Sequence, residues 1–74
     1  MKTFEEMGLH RKKIGGLLSL VADALLPAGA QFEYFGSEYE ITRVESDVVN
    51  NSCISTMIAE CNRTGKFIFV LHRA

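Results

Sequence analysis

The amino-acid sequence predicts an α+β fold, an N-terminal amphipathic helix packed on a small antiparallel β-meander or open barrel. Three observations predict it. An apolar stripe of helical period runs up to Pro27, and beyond it short apolar clusters are separated by glycine-containing turns. The chain is 74 residues long, 47% hydrophobic and only 23% charged, a balance that suits a globular rather than a disordered chain. That length allows one domain, residues 1–74, with a thin core. So small a core is marginal by itself, and an interface that hides further apolar surface, with a protein partner or a second copy, is expected.

The first element is read as a helix over residues 3–26. Thr3-Phe4-Glu5-Glu6 has the Thr-x-x-Glu form of a capping box, in which hydroxyl and carboxylate satisfy amides left unpaired by a first turn. Met7, Ile14, Leu17, Leu18, Val21 and Leu25 then fall on one helical stripe, with Arg11, Lys12, Ser19 and Asp23 opposite. Gly15-Gly16 interrupts the stripe and implies a bend or a close backbone contact. Pro27-Ala28-Gly29 ends the helix, because proline disfavours helical geometry in the residue before it.

Residues 31–44 are read as a hairpin: Gln31 to Phe35 as one strand, Gly36-Ser37 as the turn, and Glu38 to Val44 as an alternating partner. Residues 48–61 admit two readings. Ile54, Met57, Ile58 and Cys61 fit a helical stripe, which would give an α-β-β-α-β order. The richness in Val, Ile, Thr and Cys, followed by Asn62-Arg63-Thr64-Gly65 as a hairpin loop, favours a strand. Residues 66–73 form the last strand, whose continuous Phe67-Ile68-Phe69-Val70-Leu71 run is expected to be buried on both faces.

The run Phe32 to Val44, an aromatic strand, a glycine turn and a second strand opened by an aromatic residue, resembles the first hairpin of many small SH3-like β-barrels. The resemblance implies the meander. It brings no functional residues with it.

Chemistry is sparse. His10, Cys53, Cys61 and His72 lack the paired short spacings of a zinc site, so no metal or cofactor is expected. Cys61 with His72 lacks the local signature of a nucleophile and its base, and the Glu38/Glu40 pair reads as solvated acid, so no enzyme is expected. No apolar run approaches the length of a membrane span, and two cysteines without a secretory signal suggest a reducing, cytoplasmic setting.

Charge is more informative than motif. Net charge is −1, yet residues 1–27, 28–60 and 61–74 carry +1, −5 and +3 respectively. The leading functional expectation is a small non-enzymatic protein-interaction module that contacts a basic surface of a larger complex through an acidic hairpin, with Glu33, Tyr34, Phe35, Glu38, Tyr39 and Glu40 as its contact residues. Its size suggests a regulator or inhibitor from a mobile element. The alternative is a small nucleic-acid binder using Arg11, Lys12, Lys13, Arg63, Lys66 and Arg73.

Overall fold

The computed structural model describes residues 1–73. It is all-β among those residues, and the expected α+β class is corrected. Six strands, β1 (Leu9–Ile14), β2 (Leu17–Ala22), β3 (Gln31–Tyr34), β4 (Ser37–Val49), β5 (Ser52–Glu60) and β6 (Phe67–Arg73), form one curled half-barrel sheet in the order β1-β2-β6-β5-β4-β3. Every pairing is antiparallel except β2 with β6, which is parallel and rests on two residue pairs, Leu20 with Val70 and Val21 with Leu71. The antiparallel meander of the sequence reading is therefore also replaced, by a mixed sheet.

The helix over residues 3–26 does not form because Gly15 and Gly16 both take positive φ, 59° and 83°, and connect Ile14 to its partner Leu17 as a two-residue hairpin turn. Turns with φ above zero at both central residues twist in the sense of the flanking strands, and glycine enters that region without steric cost. Leu9 and Ala22 lie thirteen positions apart, which a helix of 3.6 residues per turn would set on roughly opposite sides. Here they are cross-strand neighbours, and both are buried. The predicted stripe does not act as one: Leu17 and Leu18 are 73% and 59% exposed, while Leu9, Leu20 and Ala22 enter the core.

The same turn geometry recurs twice. Phe35 and Gly36, at φ 48° and 77°, join Tyr34 to Ser37, so the turn lies one residue earlier than expected. Asn50 and Asn51, at 51° and 63°, join Val49 to Ser52. That second turn lies inside residues 48–61 and excludes the helical alternative there. Cys61 and Lys66 close the last hairpin through Cys61 N–H to the Lys66 carbonyl at 2.8 Å.

The capping box does form, around a single turn rather than a helix. Thr3 N–H donates to Glu6 Oε1 at 2.9 Å, and Glu6 N–H donates to Thr3 Oγ1 at 3.3 Å. This turn lets the segment before it run beside β3, where Phe4 N–H donates to the Glu33 carbonyl at 2.7 Å and Glu33 N–H to the Lys2 carbonyl at 2.9 Å. An otherwise open sheet edge is thereby covered.

Strand alternation places the core on the concave face. One row, read across the registers, runs Val44, Met57, Val70, Leu20, Arg11. Leu9, Ala22, Phe32, Tyr39, Ile41, Ala59 and Cys61 are buried with it, and the β2–β3 loop covers one side, with Leu26 N–H donating to Met57 Sδ at 3.3 Å. A one-layer sheet buries one face only. The expectation that Phe67 to Leu71 is buried on both faces is corrected: Ile68 and Val70 point inward, whereas Phe67 and Phe69 are 58% and 54% exposed.

Candidate interaction face

The face turned away from the core is where the unusual chemistry collects. Residues paired across strands share a face, so the registers give its layout directly. One row crosses five strands as Glu45, Thr56, Leu71, Val21, His10. A neighbouring row runs Arg43, Ile58, Phe69, and the next Glu40, Glu60, Phe67. The centre of this outer face, on β2, β6 and β5, is thus apolar, and Phe67 and Phe69 meet there edge-on with centroids 5.5 Å apart.

Its β3–β4 flank is acidic. Glu33 stands directly opposite Glu38, and Glu40 directly opposite Glu60. Like charges at such positions repel and cost roughly 0.2–1 kcal/mol each. The one hydrogen bond given to any of these four carboxylates by a side chain, among the described residues, is from Gln31 Nε2 to Glu40 Oε1 at 3.1 Å. Farther along β4, Glu45 is engaged by Arg43 at 2.8 Å.

Basic residues lie on β1 and at the end of β6, Lys12 on the outer face, Lys13 on the face of Arg11, and Arg73 opposite Ile54. Lys12, Lys13 and Arg73 border a groove of about 490 Å³, floored by Ile14, Val21, Ile54 and Leu71. Among the described residues none of these three cations is in an ion pair. His72 also lines the groove, with its Nδ1 3.0 Å from the Ala22 carbonyl. His10 lies 3.7 Å from Asp23.

The six residues expected to bind a partner do not form one surface. Glu33, Glu38 and Glu40 share the outer face. Tyr39 is buried in the core, Tyr34 is half-buried, and Phe35 sits exposed in the β3–β4 turn beneath the Arg11 guanidinium. Of the six basic residues, Lys12, Lys13 and Arg73 converge on the groove. Arg11 is committed to Phe35, and Arg63 and Lys66 belong to the hairpin loop at the opposite end of β6, seven residues or roughly 23 Å of strand from Arg73. Phe67 and Phe69 were missed as surface residues, and the sequence of β6 offered no signal for them, because residues on both its faces are apolar; Glu60, at the end of β5, was not singled out.

No protein-family model, no curated protein and no solved structure matches this chain. The face is therefore interpreted from its own chemistry. Among the described residues no group of three or more His, Cys, Asp or Glu side chains is arranged to hold a metal ion, so the carboxylates of the acidic flank do not converge on one point. What the arrangement can do is present apolar area beside an acidic flank.

Proposed function

We propose that this chain is a non-enzymatic protein-interaction module that works through the outer face of its sheet, its acidic flank taking a basic surface of the partner. One observation carries the reading: Phe67 and Phe69 lie more than half exposed next to the head-on pair Glu40/Glu60, with a second such pair, Glu33/Glu38, at the sheet margin beyond it. Aromatic residues are enriched at the cores of protein interfaces, and exposed apolar patches mark interaction sites. Two unrelieved like-charge pairs cost the free domain stability, and a cationic partner would discharge them. Regulation by occupancy is the action such a module would have on its partner.

The test is capture from the native host by the immobilised chain, compared with Glu38→Gln/Glu40→Gln and Phe69→Ser variants. A protein retained by the unaltered chain and lost from both variants supports the reading. Equal retention by all three overturns it.

Convergence of Lys12, Lys13 and Arg73 favours a second reading, nucleic-acid binding along the β1 flank. Three phosphate contacts would give a slope of log K against log salt between about −2 and −3. A slope near zero removes that reading.

A further inference from the structure

This inference concerns an edge of the sheet and does not depend on the reading of its outer face. We propose that the free edge of β1 is a docking site for an extended acidic segment of a partner protein, which adds to the sheet as a further strand. Unpaired backbone groups and cationic side chains on the same short stretch, Arg11 to Lys13, carry it.

The Gly15-Gly16 turn fixes which backbone groups are unpaired. A two-residue hairpin turn makes the residues on either side of it, Ile14 and Leu17, a hydrogen-bonded pair, and such pairs recur at alternate positions. His10 and Lys12 therefore turn their N–H and carbonyl groups to β2, as Gly8 does in accepting from Asp23 N–H at 3.0 Å. The residues between them turn theirs the other way. Leu9 N–H is used in that direction, donating to the Phe4 carbonyl at 3.0 Å. Arg11 and Lys13 follow Leu9 in alternation, β1 ends the sheet, and among the described residues no other backbone group meets theirs.

The opposite margin shows what such an edge accepts, for there the N-terminal segment pairs with β3 through Glu33. Beside β1 a cleft of about 500 Å³ is lined by Phe4 and Glu5 of the N-terminal segment and by His10, Arg11 and Leu18 of the β1–β2 hairpin. Neighbouring strands lie about 4.8 Å apart, so one extended chain bonded to Arg11 and Lys13 would run along this opening.

Charge selects the occupant. Lys12 stands on the outer face and Lys13 on the face of Arg11, so an added strand meets a cation on either side of the sheet. Arg11 reaches to Phe35, and neither lysine is in an ion pair among the described residues. A second copy pairing through the same edge, about a two-fold axis at Lys12, would set Lys12 on Lys12 and Arg11 on Lys13. Like charges directly opposite destabilise cross-strand pairing, and edge lysines bar self-association in this way. The charge that repels a second β1 attracts a strand bearing glutamate or aspartate, with the backbone bonds giving affinity. Glu5, the one carboxylate lining the cleft, belongs to the segment whose Phe4 carbonyl already occupies the edge at Leu9.

The test uses the full chain and a short fluorescent peptide of alternating glutamate and valine, with a lysine–valine peptide as its counterpart. Anisotropy at low salt should show the acidic peptide binding more than about tenfold tighter than the basic one, with the difference shrinking as salt is added. Amide exchange at Arg11 and Lys13 should slow about tenfold on saturation, while Lys12 and Ile14, already paired to β2, keep their rates. Lys13→Gln should weaken binding through charge alone. Lys13→Pro should abolish it, because proline removes a donor that faces the peptide and none that faces β2. If that variant does not fold, the exchange of the unaltered chain decides.

Equal affinity for both peptides, or no binding of either, overturns the proposal. Binding that leaves exchange at Arg11 and Lys13 unchanged also overturns it, since attraction of charge without strand addition is then the whole effect. Slowing of the same two amides with protein concentration in the absence of peptide would give the edge to a second copy and overturn the occupant.

Discussion

The Arg11 guanidinium carbon lies 4.9 Å from the ring centroid of Phe35, joining the free edge strand β1 to the β3–β4 turn across the mouth of the half-barrel. Phe35 takes φ 48°, a region that a bulky L-residue enters at a cost of roughly 1–2 kcal/mol. Its ring offsets that strain by packing against Tyr34 at 4.6 Å and Phe4 at 6.1 Å as well as receiving Arg11. A double-mutant cycle with Arg11→Ala and Phe35→Leu, followed by urea unfolding, should give a coupling of about 0.5–1 kcal/mol, the range for an exposed cation–π pair. Strict additivity would mean that the two margins are held by the backbone alone.

The Gly15-Gly16 turn yields a test by sign. In a helix, replacing either glycine with alanine would stabilise the chain by about 1 kcal/mol. In the hairpin, with both residues at positive φ, Gly16→Ala should instead destabilise by about 1 kcal/mol, and Gly15→Asn should be nearly neutral because asparagine tolerates this region. Thermal unfolding of the two variants separates the cases. No atom outside the neighbouring residues lies within 4 Å of a Cβ built at either site, so a loss would be conformational and not steric.

What sequence periodicity reveals depends on whether the alternatives differ. From Gln31 onward, alternation in Glu38 to Ile41 points to a strand, residues 48–61 fit a helical stripe as well as a β-branched strand, and strands are found at Gln31–Tyr34, Ser37–Val49 and Ser52–Glu60. In the first third they do not differ. Leu17, Leu18, Val21 and Leu25 fit a helical stripe, yet Leu20 and Ala22 fit an inward strand face equally well. The Gly-Gly dipeptide, with an apolar run on one side and a mixed basic run on the other, was the hairpin signal, outweighed by the capping box. That box is real but local: it satisfies amides around one turn and says nothing about the following eighteen residues. The candidate face was less legible still. The acidic residues were visible as charge, but their apolar neighbours Phe67 and Phe69 became surface only once the sheet had no second layer to cover them.

Acid should act on the N-terminal turn. Hydrogen bonds from the Thr3 backbone and then its side chain hold the Glu6 carboxyl below its ordinary value, with Lys2 assisting. A carboxyl depressed in the folded state contributes stability that is fully present above its unfolded pKa and is lost as pH falls through the folded value. Thr3→Ala should therefore lower the unfolding midpoint near neutral pH, and the gap from the unaltered chain should narrow on acidification below the ordinary carboxylate range. A gap independent of pH would assign the effect to the Thr3 hydroxyl alone. Because this turn positions Lys2 to Phe4 along β3, amide exchange at Glu33 should accelerate in the same variant.

The two cysteines should differ in access. Cys53 is exposed near the tip of the β4–β5 hairpin, whereas Cys61 is 2% exposed and belongs to the core. Hydrogen bonding to Thr64 holds the Cys61 thiol below its usual range, with burial opposing, so reactivity there is limited by opening rather than by ionisation. A disulfide reagent should titrate one thiol rapidly in the native chain and the second only at the rate of unfolding. Two fast thiols would place the last hairpin loop outside the cooperative structure.

The like-charge pairs supply a prediction that links stability to function. Glu33 faces Glu38 and Glu40 faces Glu60 on the exposed flank, where repulsion is screened by salt. Glu38→Gln should raise the stability of the free chain by roughly 0.2–1 kcal/mol at low ionic strength, with the gain fading as salt is added. A surface substitution that stabilises the free domain and weakens its association separates binding from folding, because a misfolded variant would lose both. Measured by urea unfolding and by capture of the partner protein on the immobilised chain, the two effects should move in opposite directions. If Glu38→Gln leaves stability unchanged at every salt concentration, the carboxylates are held too far apart to repel, and the acidic flank has no stored repulsion for a partner to relieve.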